Sequence, residues 1–317
     1  MVWLGSYLKN NDADWQEIKN QAYHKNGWFT PEFIDIACDK IVSHFLDRAL
    51  LEEWVAHYHI DDNVECRNVG IVMAGNIPLV GFHDFLAVFI SGHRQTIKLS
   101  SKDEVLLRHL VEKMTEENSE TGAHISFAET LRGCDAYIAT GSNNSSRYFE
   151  QYFAKYPNII RKNRTSAAIL SGAETAKDLE NLSDDIHLYF GLGCRNVSKI
   201  FVPVGYDFIP LIRSFDKYLY FADHHKYKNN YDYQLSILLL NNVYYMTNGS
   251  TLLTENTAIF SPISHVYFEH YQDRKELVKQ LKQNNDLQCL VDGETIDFGA
   301  SQHPGLLVLS ILLQWLS

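Results

Sequence analysis

The sequence predicts an α/β protein of two units with mostly parallel sheets, preceded by an N-terminal helical segment. Two observations carry this. Short apolar runs alternate with stretches of helical period from Asn68 to Val291, and the chain is long enough for two cores. At 317 residues, 45% of them apolar and 21% charged, with 17 glycines and 7 prolines, it is neither disordered nor collagen-like. One large α/β unit is the alternative at this length.

Residues 1–60 read as helices. Thr30-Pro31-Glu32 has the form of a helix start, with proline at the first helical position. Phe33, Ile36, Ala37 and Ile41 follow at helical spacing, as do Leu46, Ala49, Leu50 and Trp54. This amphipathic segment is expected to be a cover or arm. From Asn68 the period changes. Residues 68–74 predict a buried strand, 78–90 a helix, 96–99 a strand and 105–114 a helix. Residues 136–139 predict a third strand, followed by Thr140-Gly141-Ser142 and a polar helix to Lys155. A fourth strand is expected over 167–170. The pattern then restarts, with a helix over 178–190, a strand over 197–203 and a helix or buried segment over 232–240. A helix over 274–284 and a strand over 287–291 complete it. There is no internal repeat and no low-complexity linker, and the join is expected near 165–172. The expected domains are a helical segment (1–60), a cofactor-binding α/β domain (61–167), a catalytic α/β domain (168–290) and a C-terminal return segment (291–317).

Twenty-eight basic against 39 acidic residues leave a net charge of −11. That argues against nucleic acid or an anionic membrane as main partner, since both need a positive field. A local basic pocket for a phosphorylated cofactor is compatible with it. The cysteines are Cys38, Cys66, Cys134, Cys194 and Cys289, an odd set with no Cys-x-x-Cys pair. They form neither a disulfide framework nor a zinc ribbon, and free thiols fit a reducing compartment. The N-terminus lacks the basic start and long apolar run of a signal peptide. The most apolar stretch, residues 306–316, is broken by Ser310 and Gln314 and is too short to span a bilayer. The expectation is a soluble cytoplasmic protein with no stable membrane insertion.

Four segments can carry chemistry. Cys194 lies in a glycine turn between a predicted helix and strand, where its sulfur can be presented on a rigid backbone. Arg195 and Lys199 nearby are expected to favour the thiolate. Asn76 follows a strand within Gly75-Asn76-Ile77-Pro78, at the usual ligand position of open α/β sheets, and its amide can donate to an oxyanion. Lys98 ends a strand and precedes Ser100 and Ser101. Thr140-Gly141-Ser142 precedes a helix, where amides and a hydroxyl can meet a phosphate. Each also has a plain structural reading: a cysteine packing a tight turn, a turn-forming asparagine, a strand-end lysine, a helix cap. No Gly-x-Gly-x-x-Gly and no Walker loop occurs.

Together and in this order these segments resemble the aldehyde dehydrogenase superfamily. Gly75-Asn76-Ile77-Pro78 is similar to its strand–Asn–x–Pro element, and Gly92 with Lys98 keeps the spacing of its Gly-x5-Lys element. Thr140-Gly141-Ser142 resembles its Thr-Gly-Ser turn, and Gly191 with Cys194 its Gly-x-x-Cys nucleophile turn. The segment from Ala258 to Pro262 resembles its Glu-Ile-Phe-Gly-Pro segment. At phrase level the match is to one branch, the LuxC-type acyl-CoA reductases, in the runs 74–81, 97–103, 191–199 and 261–264. The resemblance covers roughly residues 25–305.

What it implies is an aldehyde-dehydrogenase-like fold and an NADPH-dependent reduction of a long-chain fatty acyl-CoA to the aldehyde. Cys194 would take the acyl group as a thioester, while Asn76 and the Cys194 amide would hold the oxyanion. Lys98, Ser100 and Ser101 would bind the adenosine ribose or its phosphate, and Thr140, Gly141 and Ser142 would line the cofactor path. The site would lie in a cleft between the two α/β units. Where the superfamily carries a ribose-binding glutamate this chain has Ser101, which removes repulsion toward a 2′-phosphate and favours NADPH. Ala258 replaces a second such glutamate. No Glu-Leu-Gly-Gly occurs, the stretch near Arg164 standing in its place, so the base that activates water for hydrolysis is missing. The resemblance further implies self-association, a CoA or acyl carrier protein donor, and docking with an acyl-activating enzyme. After Gln302-His303-Pro304-Gly305-Leu306 the chain departs from the family's acidic, tyrosine-containing continuation.

Other constellations read as structure. His224 and His225 with Asp223, and His265 with Glu269 and His270, lack a clear ligand count, so no metal is expected. Asp184-Asp185 beside His187 reads as a solvated helix face. No Gly-x-Ser-x-Gly elbow supports a serine triad. The tyrosines near 227–245 suit core and interface packing. Two rival functions stay open: an aldehyde dehydrogenase acting oxidatively, and a non-catalytic subunit of a fatty-acid-reducing complex.

Overall fold

A computed structural model describes residues 1–57 and 65–302. Four helices open the chain, α1 (Val2–Asn10), α2 (Ala13–Lys25), α3 (Pro31–Phe45) and α4 (Arg48–Ala56). Three start on side-chain caps: Asp12, Thr30 and Asp47 accept the amides of Trp15, Phe33 and Leu50. The rest of the first unit is β1 (Asn68–Val72), α5 (Phe82–Ile90), β2 (Arg94–Lys98), α6 (Val105–Glu117), β3 (Ile125–Phe127), β4 (Ala136–Thr140), α7 (Asn143–Phe153) and β5 (Asn158–Arg161). Its sheet is wholly parallel, in the order β3-β2-β1-β4-β5.

The opening helices are part of this unit's core. Leu4, Trp15, Phe29 and Ile34 share one buried apolar cluster with Val69, Ile71, Phe85 and Leu110. Each such side chain contributes roughly 1.5–3 kcal/mol by leaving water, so the segment is bound to the sheet and is no detached arm. Polar ties reinforce the packing: Tyr7 Oη lies 2.6 Å from His109 Nε2, and Lys113 pairs with Asp14 at 2.9 Å.

The second unit contains β6 (Thr165–Ile169), α8 (Ala176–His187), β7 (Val197–Pro203), α9 (Phe208–Ser214), α10 (His225–Leu240), β8 (Met246–Thr247), β9 (Leu252–Glu255), β10 (His265–Tyr271), α11 (Arg274–Lys282) and β11 (Leu287–Val291). Its strand order is β11-β6-β7-β10-β9-β8, parallel except for β8 against β9. A capping box between Thr175 and Asp178 starts α8, whose Leu179, Leu182 and Ile186 pack with Ile200, Val202 and Val266.

The two compact units divide between Asn163 and Arg164, whereas the sequence places the boundary at 167/168. The reason is β6, which starts at Thr165 and pairs with both β7 and β11 of the second sheet. Residues 292–302 belong with that unit as well, since the Gly299 and Ser301 amides donate to Asp185 of α8 at 2.7 and 3.0 Å. Residues 303–317, with the apolar 306–316 stretch, and residues 58–64 lie outside the described residues. Among the described residues no helix is long and apolar enough to cross a membrane.

Several boundaries differ from expectation. The helix predicted over 78–90 starts at Phe82, because Leu79 adopts φ 54° and the Phe82 amide closes a turn on the Leu79 carbonyl at 2.9 Å. The helix predicted over 178–190 ends at His187, after which Tyr189, Phe190 and Gly191 all take positive φ (56°, 56° and 74°). The helix expected over 232–240 begins earlier, at His225.

Candidate active site

The chain order of the first sheet reverses between β1 and β4, and open α/β sheets bind ligands beyond the strand ends at such a point. The register brings the ends together: Val72 stands opposite Lys98 and Ala139, and Thr140 opposite Arg161. Asn76 therefore follows one strand of the switch point and Thr140-Gly141-Ser142 the other, with Lys98 on the next strand out. Asn76 is half-buried in the loop between β1 and α5. It does not sit at a helix N-terminus, because the helix begins only at Phe82. Lys98 and Ser101 are exposed and Ser100 is half-buried. Ser142 caps α7 by accepting the Ser145 amide at 3.3 Å, and the Gly141 amide donates to the Arg161 carbonyl at 3.2 Å. The Thr140 hydroxyl oxygen is buried and has no hydrogen-bond partner among the described residues.

Two supports of this edge escape sequence reading. Arg161 places Nη1 at 2.8 and 2.6 Å from the two oxygens of buried Asp84. Asp103 is buried below the Asn76 loop and accepts the Leu79 amide at 2.8 Å. Burial pushes the Asp103 carboxyl up to about 7, and the Leu79 amide works against that rise. Between roughly pH 4 and 7 the folded protein holds a proton that the unfolded chain has released, so this group makes stability fall as pH rises through that window. Asp103→Asn removes the dependence. Melting curves from pH 4 to 8 should therefore show the variant gaining on the wild type toward pH 7, by about 2–4 °C or more. A gap independent of pH would assign the carboxyl an ordinary value.

In the second unit Cys194 is half-buried in the turn between α8 and β7. The left-handed run of Tyr189, Phe190 and Gly191 leads into it, and only Gly191 takes that conformation without cost. Asn196 holds the turn. Its Oδ1 accepts the Gly193 amide at 2.8 Å, and its Nδ2 faces the carbonyls of Asp185, Ile186 and Leu188 at 3.0, 3.2 and 2.8 Å. The Ser166 hydroxyl donates to the Cys194 carbonyl at 3.1 Å and lies 2.9 Å from Cys289 Sγ. An asparagine two places after a cysteine in a glycine turn is the one sequence signal for this clamp.

The charges expected to act on the thiol are engaged elsewhere. Lys199 is fully buried on β7, bonded to Glu269 at 2.9 Å and to the Asn256 carbonyl. Arg195 donates to the Ser301 carbonyl at 3.3 Å. Asp185 is likewise no solvated helix residue: it is 0% exposed and its carboxylate takes the Gly299 and Ser301 amides. His265 bonds Thr254 Oγ1 at 2.8 Å, and burial pulls it down to about 4. Among the described residues no group of three or more His, Cys, Asp or Glu is arranged to hold a metal ion.

No known family model matches this chain, and no curated protein matches it. Solved structures do. The chain is similar to aldehyde dehydrogenase 21 from Physcomitrella patens, solved with the reaction product succinate, at TM-score 0.68 and 14% identity, over 94% of this chain and 76% of that one. It is similar to an aldehyde dehydrogenase from Bacillus cereus in complex with NAD+, at TM-score 0.65 and 13% identity, over 89% and 68% of the two chains. A third likeness is to the aldehyde dehydrogenase KauB from Pseudomonas aeruginosa, at TM-score 0.62 and 11% identity, over 88% and 67%. The chain has the aldehyde dehydrogenase fold, as its motifs imply. At these identities the likeness is one of fold.

Proposed function

We propose that this protein reduces a long-chain fatty acyl-CoA to the aldehyde with NADPH, through an acyl thioester on Cys194. The observation that carries the reading is Cys194 in a braced turn of an aldehyde dehydrogenase fold with no Asp or Glu between Glu150 and Glu174. That run includes β5 and β6, and the stretch from Thr165 is a fully buried strand. Aldehyde oxidation needs a base to activate water against the acyl-enzyme, and this run offers none.

The thiolate of Cys194 attacks the thioester carbonyl, and CoA leaves with the electron pair of the broken C–S bond. Asn76 and the Cys194 amide donate to the oxyanion in this step and in the later collapse that frees the aldehyde. A bound nicotinamide dinucleotide supplies the hydride. The residues at the first sheet's edge suit such a group: the switch-point position, the buried Thr140 hydroxyl, which has no partner among the described residues, and the Ser142 cap beside it fit a diphosphate. Lys98, Ser100 and Ser101 hold the adenosine ribose and its 2′-phosphate. The donor is a CoA or acyl carrier protein thioester, and self-association, docking with an acyl-activating enzyme and a cytoplasmic setting belong to the same reading.

The test is NADPH oxidation by the purified full chain with a panel of acyl-CoAs. The expected result is oxidation matched one for one by free thiol and aldehyde. Turnover of aldehydes with NADP+ alone, or no turnover with Cys194 unlabelled by any acyl-CoA, would overturn the reading. Cofactor choice gives a second check. Ser101→Glu is expected to lower kcat/KM for NADPH relative to NADH by about 10-fold or more, through repulsion of the 2′-phosphate. An unchanged ratio would place the phosphate elsewhere.

A further inference from the structure

Two of the candidate segments are pinned to each other by a single buried carboxyl. The Asp103 amide donates to the Ser100 carbonyl at 2.9 Å, and Asp103 Oδ2 accepts the Leu79 amide at 2.8 Å. Leu79 is held at φ 54°, a conformation that a leucine adopts only when its surroundings impose it. Gly75, next to Asn76, packs so closely on the same residues that a Cβ there would stand 2.5 Å from Ser100 Oγ and 3.3 Å from Asp103 Cβ. Asp103 Oδ1 is buried with no hydrogen-bond partner among the described residues. Asp103 borders a cavity of about 10 Å³, also lined by Met73, Ala74, Leu79, Leu99 and Leu107, which holds at most about one water. A buried carboxyl in so apolar a place is costly to keep unless it does more than fill space.

We infer that Asp103 is a positioning residue: by gripping the strained Leu79 amide it fixes the Gly75–Pro78 loop, and with it the donor Asn76, in register with Lys98 and Ser100. The inference rests on the proposed oxyanion role of Asn76. Asp103→Leu fills the same space without an acceptor, whereas Asp103→Asn keeps an oxygen for the Leu79 amide.

Turnover of acyl-CoA is measured in Asp103→Leu, Asp103→Asn, Asn76→Ala and the double variant Asp103→Leu/Asn76→Ala, with hydrogen exchange of the peptide spanning 75–82 followed in parallel. Asp103→Leu is expected to lower kcat roughly 10- to 100-fold with little change in KM for acyl-CoA. Asp103→Asn should recover most of the loss. The double variant should be no slower than Asn76→Ala alone, because Asp103 acts through Asn76. The 75–82 amides should exchange faster in Asp103→Leu while β2 and β4 stay protected. Wild-type kcat in Asp103→Leu, losses that add in the double variant, or unchanged exchange over 75–82 would each overturn the inference. If Asp103→Leu does not fold, Asp103→Ser, too short to reach the Leu79 amide, takes its place in every arm. A wild type that does not reduce acyl-CoA, or a fully active Asn76→Ala, would instead sink the proposed function. The exchange arm then still decides whether Asp103 holds the loop.

Discussion

Cys194→Ala is expected to abolish acyl-CoA reduction, lowering kcat by at least about 10⁴-fold while the fold and NADPH binding persist. The reason is covalent: without the sulfur there is no acyl-enzyme, and no other cysteine shares the setting. Cys38 and Cys134 are buried, and burial pushes both thiols up. Cys289 is pushed up by burial too and is 2.9 Å from Ser166 Oγ. The exposed Cys66 lies just before β1 in the first unit. Incubation with radiolabelled acyl-CoA in the absence of NADPH should label the wild type once per chain and leave Cys194→Ala unlabelled. Residual labelling at Cys66 or Cys289 would move the nucleophile.

Asn196→Ala should produce a large loss of stability while leaving the nucleophile in place. Asn196 is 1% exposed and reaches the Gly193 amide and the carbonyls of Asp185, Ile186 and Leu188. Truncation leaves these groups buried without their partner, a cost of about 3 kcal/mol. Asn196→Asp should be at least as damaging, since it turns a carboxylate toward carbonyl oxygens that need a donor. Urea unfolding read from tryptophan fluorescence measures the loss. A midpoint within error of the wild type would show that water replaces the amide without penalty. Acylation of Cys194 in the folded fraction should slow as well, because the Gly193 amide is no longer anchored.

Periodicity alone located β1, β4 and β7, because each holds an apolar run, Val69–Val72, Ala136–Ala139 and Ile200–Val202. It missed β3 and β5 of the first sheet, and β8, β9 and β10 of the second. Ile125–Phe127 spans too few residues for any period to register, and Ile159-Ile160 is flanked by Asn158 and Arg161, which hide the apolar pair. The positions of Asn76 and Thr140 at strand ends were readable because each follows or closes an apolar run, and that of Cys194 because the glycines before it mark a turn. Their supports were not. Asp103, Asp185 and Asn196 act through backbone groups distant in sequence or folded back by a turn, and polar residues in amphipathic stretches look like solvent-facing ones until the fold is known. Lys199 shows the converse: a lysine near a cysteine suggests an electrostatic role, yet alternation along β7 turns it into the sheet toward Glu269.

The Asp185 clamp has a bearing on biosynthesis. Its carboxylate meets the amides of Gly299 and Ser301, more than a hundred positions further along, and Arg195 closes on Ser301 from the other side of the nucleophile turn. A nascent chain that has emerged only as far as β7 carries Cys194 without these contacts, and the flanking carboxylate waits in an apolar setting for donors not yet synthesised. The described residues of the first unit all precede Arg164, so among them no such wait arises. Ribosome-stalled chains ending shortly after Ser301 emerges should thus be the first to protect the thiol from alkylation, which makes assembly of the reactive turn among the last events in the folding of its unit.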